Sequence, residues 1–135
     1  MAPRPGRRLR GGPHQFFAEL TGLLVEAAVQ RIDLDVPVKE GQLTKREELT
    51  DRFERTGQWS DELEMIEIPI VAQRVFEAFW EIAGPEALTW LEIEAYQRGM
   101  RVAFEPWETR AVMMMDRAVR SFVLVRAIPR EGVDG

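Results

Sequence analysis

The chain has 135 residues, a net charge of −5 and no cysteine. That length suits one domain with a modest core and not two comfortable ones. Without thiols, disulfides and thiolate metal sites are excluded, and the acidic balance argues against wholesale phosphate binding.

No apolar run approaches the roughly 18 to 20 residues that a membrane-spanning helix needs. Residues 1–13 carry Arg4, Arg7, Arg8 and Arg10 among prolines and glycines. Pro13, His14 and Gln15 interrupt any signal-peptide core, so the segment is expected to be a disordered basic arm. The alternative is an arm that touches an acidic partner or nucleic acid.

The first periodic segment is His14 to Ile32. Phe16, Leu20, Leu23, Leu24, Ala27, Ala28 and Ile32 share one broad helical face. Asp33 to Val38 alternates and contains a proline, which predicts an extended connector. Thr44 followed by Glu47 is a capping-box pattern that opens a short helix, with Leu49 and Phe53 inward and Gly57 as its stop. Ser60 to Ile68 holds Asp61, Glu62, Glu64 and Glu67 with no compensating base, and reads as a short helix or a loop.

Pro69 is expected to start a further helix whose apolar set is Val71, Val75, Phe76, Phe79, Trp80 and Ile82, ended by Gly84-Pro85. Of the adjacent Phe79 and Trp80, one should be core and the other should face a neighbour. A second capping box, Thr89 to Glu92, opens a helix with Trp90, Ile93 and Tyr96 that stops near Gly99.

Pro106 then begins what reads as the longest helix, running to about Val125. Its proline suits a first turn, and Glu105 and Glu108 sit at the positive end of the helix dipole. Trp107, Ala111, Met114, Ala118, Phe122 and Val125 recur on one face, widened by Met115 and Val119, with Arg110, Asp116, Arg117 and Arg120 mostly opposite. Met113, Met114 and Met115 point about 100° apart, so at least one should look outward. The fold class expected is all-α: a small bundle of four to five helices over residues 14–128, with the arm before it and a frayed tail at 129–135.

Catalytic and metal chemistry find little support. His14 is the lone histidine, and carboxylates alone beside it are not a typical zinc set. No glycine-rich phosphate loop, nucleophile elbow or HExxH pattern occurs. Glu64 with Glu67, or Glu92 with Glu94, are acid–base candidates only because carboxylates are abundant. No cofactor and no enzymatic activity are expected. The link from Gly99 to Glu105 is long for a helix-turn-helix, so the last two helices read instead as a packed antiparallel pair. Adaptable methionines and four tryptophans, which are enriched at interfaces, turn attention to a partner surface.

One resemblance sharpens this. Phe79-Trp80-Glu81-Ile82, then Leu88 to Tyr96 and Gly99, then Phe104-Glu105-Pro106-Trp107-Glu108, and finally Met115-Asp116-Arg117-Ala118 make a pattern over about Val75 to Phe122. It resembles the tail assembly chaperone group of long-tailed, lambda-like phages and related prophage or gene-transfer elements. The family-like part of the domain is taken as about 69–126. An Arg-Pro or glycine-rich loop that the resemblance leads one to expect after the aromatic helix is shortened here to Ala83-Gly84-Pro85-Glu86-Ala87, and the resemblance does not extend to Phe16 to Gly57.

The resemblance implies binding of the tape measure protein and/or the major tail protein in the host cytoplasm, without a place in the finished virion. Partner-binding residues are then expected at Trp90, Tyr96, Trp107, Met113 and Met115, with Asp61, Glu62, Glu64 and Glu67 as an acidic rim. A homo-oligomer is also envisaged, while membrane and nucleic acid are not expected partners. Two alternatives stay open: a structural or adaptor component of the virion tail or neck, and a small DNA- or protein-binding regulator.

Overall fold

The computed structural model describes residues 12–128. The frayed tail expected at 129–135 lies outside them, as does the expected basic arm apart from its last two residues, which open the first helix. Among the described residues the protein is all-α. Its elements are α1 (Gly12–Asp35), α2 (Lys45–Thr56), a 3-10 turn (Asp61–Leu63), α3 (Ile70–Ile82), α4 (Trp90–Met100) and α5 (Pro106–Ala127).

The helix boundaries follow local chemistry. Thr44 and Glu47 exchange hydrogen bonds: Glu47 N–H donates to Thr44 Oγ1 at 3.1 Å and Thr44 N–H to Glu47 Oε1 at 2.8 Å. Thr89 and Glu92 do the same at 3.2 and 2.9 Å, so both expected capping boxes form. Gly57 closes α2 in the left-handed region at φ 78°. The helix α4 stops near Gly99 as expected, ending at Met100, but its left-handed cap is Arg101 at φ 58°.

The segment expected to be extended after Ile32 is helical to Asp35. The pairing that permits this is tertiary. Lys45 Nζ reaches Asp33 at 2.9 Å and Glu62 at 2.7 Å, while Arg46 Nε reaches Asp35 at 2.6 Å. Between those two aspartates Leu34 turns inward, 1% exposed, and meets Leu49 and Leu63 in a small second cluster. Phe53, expected inward, stays 38% exposed and packs edge-on against Trp59.

The main core joins Leu20, Leu24 and Ala28 of α1 to Ala72, Val75 and Phe79 of α3, Ile93 of α4, and Trp107, Ala111, Val112 and Met115 of α5. The most extensive helix contact is between α1 and α5, followed by α3 with α5. The expected antiparallel pairing of the last two helices is not among the extensive contacts: α4 rests on α3 and reaches the shared core through Ile93, and α5 packs chiefly against α1. At 24 residues α1 is also longer than α5, at 22.

The faces are rotated relative to the periodicity. On α1 Phe17, not Phe16, reaches the core. On α3 Ala72 and Ala78 are buried and Val71 is exposed. On α5 Met115 is fully buried, Met114 is 49% exposed and Val125 62% exposed, while Glu108 and Asp116 lie inside. The reason is that both carboxylates have partners within the fold, so polarity no longer forces them outward.

Candidate docking surface

Two buried carboxylates lock the helices that carry the surface. Glu108, in the first turn of α5, accepts from Arg74 of α3 through both oxygens, at 2.9 and 2.7 Å. The same guanidinium donates to the Ala103 carbonyl at 2.9 Å, and Glu105 N–H donates to Glu108 at 2.8 Å. Burial pushes the Glu108 carboxyl up, but the Arg74 hydrogen bond, the Glu105 N–H and the Arg74 charge outweigh it and leave it lowered.

Asp116, two turns on, accepts from Leu88 N–H and Arg120 Nε, each at 3.0 Å. Arg120 extends across the Ala83–Leu88 connection and donates to the carbonyls of Gly84, Pro85 and Glu86. This connection is therefore fastened onto α5 by one arginine and one aspartate. Both carboxylates belong to the stretches that carry the family resemblance, but residue spacing alone read them as a helix-start and an outward charge. Beside that pattern, the spacing signal was the i, i+4 separation of Asp116 and Arg120.

The residues expected to form a partner surface separate into three groups. Trp107 is 7% exposed and stacks on Phe17 at 5.0 Å, and Met115 is fully buried. Both belong to the core and neither side chain is open to a partner in this conformation. Met113 is half-buried against that core. Tyr96 is half-buried and donates its hydroxyl to Glu81 at 2.7 Å, which raises its pKa to about 12. Trp90, 57% exposed, is open, as is its neighbour Leu91 at 76%.

The acidic segment is held by Gln30 of α1, whose amide donates to Glu64 O at 2.6 Å and accepts from Ile66 N–H at 3.0 Å. Asp61, Glu62, Glu64 and Glu67 are all exposed, with Glu62 engaged by Lys45. Of the two acid–base candidate pairs, Glu92 is occupied in its capping box and Glu94 pairs with Arg98. Among the described residues no group of three or more histidines and carboxylates is placed to hold a metal ion.

A further apolar surface was not anticipated. A groove of about 640 Å³ lies between the end of α1, the end of α3 and the C-terminal half of α5. Phe79 and Ile32 face it from one side, Val119, Val123 and Leu124 from the other. Phe79 is core and Trp80, half-buried at the groove wall, carries Arg31 of α1 over its ring at 4.7 Å. These aromatics therefore divide as expected, one inward and one towards a neighbour.

The arrangement is that of a helical scaffold whose buried polar groups brace the helices while large apolar side chains remain at the surface. The profile of the phage tail assembly chaperone family matches residues 53–121, half of the chain, and the protein belongs to that family. The match begins at Phe53, upstream of the resembling stretch, and takes in the end of α2, the 3-10 turn and α3. Membership implies a non-catalytic role in assembly. No curated protein and no solved structure matches the chain. Among the described residues no helix is long and apolar enough to cross a membrane.

Proposed function

We propose that this chain binds the tape measure protein and/or the major tail protein while the phage tail is assembled in the host cytoplasm, and leaves before the particle is complete. The observation that carries this reading is the family match, which spans α3, α4 and most of α5. Large apolar side chains left at the surface of these elements support it: Trp90 and Leu91 on α4, and Leu124 and Val125 near the end of α5. An assembling helical polypeptide exposes apolar stripes, and such a surface can cover one transiently.

Within the residues first expected to contact the partner, Trp90 is the anchor this reading retains, with the half-buried Met113 and Tyr96 as lesser contacts. Asp61, Glu62, Glu64 and Glu67 act as a solvated acidic rim that discourages nonspecific sticking. Trp107 and Met115 belong to the core that holds these helices together.

Co-expression with the neighbouring tail proteins, followed by affinity capture and mass spectrometry, tests the reading. The tape measure or major tail protein should be retained, and purified particles should lack this chain. Retention of neither protein overturns the reading, and finding the chain in finished particles assigns it to the virion structure instead. Light scattering of the purified chain tests the homo-oligomer envisaged from the sequence.

A further inference from the structure

We propose that the groove between α1, α3 and the C-terminal half of α5 seats a partner helix bearing an apolar stripe flanked by carboxylates. This rests on the reading that the chain binds another polypeptide, and it names the place and the chemistry of that contact. Two observations carry it.

The first is shape. The α5 wall presents Val119, Val123 and Leu124, opposite Ile32, Phe79 and Trp80. From Asp116 to Leu124 that wall is about 12 Å long, enough to line two turns of a docked helix. Val123 and Leu124 are 39% and 67% exposed, so the wall is open to an incoming side chain.

The second is charge. Arg31 stands over Trp80, Arg120 is at the groove, and Arg126 lies one turn beyond Val123 on the same helix, over the Phe122 ring. Asp116, the one carboxylate lining the groove, is already held by Arg120. Among the described residues neither Arg31 nor Arg126 makes a salt bridge; Arg126 donates to the carbonyls of Val36 and Pro37. Arg120 is neutralised by Asp116, and Asp35, one turn on from Arg31, is held by Arg46, so in a chain of net charge −5 the locally basic edge around the apolar floor comes from Arg31 and Arg126. A second copy would bring the same arginines face to face across a two-fold axis, which like-charge repulsion opposes. Carboxylates on a different polypeptide meet no such repulsion.

The test uses the full chain and two synthetic helical peptides with one leucine stripe, flanked by glutamates in one and lysines in the other. Calorimetry should show the glutamate peptide binding at least about tenfold more tightly, and Leu124→Asp should weaken it at least about tenfold. Arg31→Glu should shrink the preference between the two peptides and gives a second readout should Leu124→Asp lose its helical circular dichroism. Equal binding of the two peptides, preference for the lysine peptide, or binding indifferent to both variants overturns the proposal. So does a wild-type dimer that Leu124→Asp splits into monomers, because a second copy then fills the groove.

Capture of tail proteins separates this inference from the reading beneath it. If wild type and Leu124→Asp retain tail proteins equally, the groove proposal falls and the chaperone reading stands. If wild type retains none while the glutamate peptide still binds as described, the groove stands and its tail-protein occupant falls.

Discussion

Arg74 grips both oxygens of Glu108 across the α3–α5 boundary, with the carboxylate side chain only 4% exposed and the guanidinium side chain 53% exposed. Removing the arginine strands a buried charge, which costs more than the pair itself contributes. Because Arg74 is half in solvent, the loss is discounted: Arg74→Ala should destabilise by about 1–3 kcal/mol, read from the urea midpoint.

The same pair sets an acid limb. The folded Glu108 carboxyl is lowered, so its contribution is present above the ordinary carboxylate range and is lost as pH falls through the lowered value. Stability measured from neutral pH downwards should decline there in wild type and decline less steeply in Glu108→Gln.

Tyr96 works at the other extreme. Its hydroxyl donates to Glu81 and its pKa rises to about 12, so its contribution is complete below the ordinary tyrosine value and is lost as pH climbs through the raised one. Tyr96→Phe should flatten that alkaline loss while leaving neutral-pH stability within about 1 kcal/mol, since the pair is largely at the surface.

Arg101 caps α4 in the left-handed region without being glycine. A side chain there costs roughly 1 kcal/mol, so Arg101→Gly should raise the urea midpoint by an amount equivalent to about 0.5–1 kcal/mol. The opposite substitution in kind, Thr89→Ala at the start of the same helix, removes a capping box and should cost about 1 kcal/mol.

Tryptophans at 90 and 107 should respond in opposite ways. Trp107→Ala empties a buried ring that stacks on Phe17 and should destabilise by about 3–5 kcal/mol in chemical denaturation. Trp90→Ala trims an exposed ring, should change stability by under about 1 kcal/mol, and should lower retention of tail proteins in a pull-down.

The sequence by itself determined the helical class, the two threonine capping boxes, the glycine end of α2 and the proline start of α5. Each is an interaction among residues within a few positions of one another, so short spacings suffice to reveal it. It also carried the family pattern from Phe79 to Ala118. Tertiary structure decided which way the helices turn and what each face meets. Glu108 and Asp116 go inside because Arg74 lies 34 positions away and the Leu88 amide 28 positions away, and periodicity cannot see either partner. The same inward turn of α5 buries Met115 and leaves Met114 out, keeps Trp107, expected both on the apolar face and at a partner surface, in the core, and opens the groove beside Trp80. A carboxylate's polarity predicts exposure only while water is its best partner; once the fold supplies a guanidinium or an amide, the face of the helix is set by that distant contact.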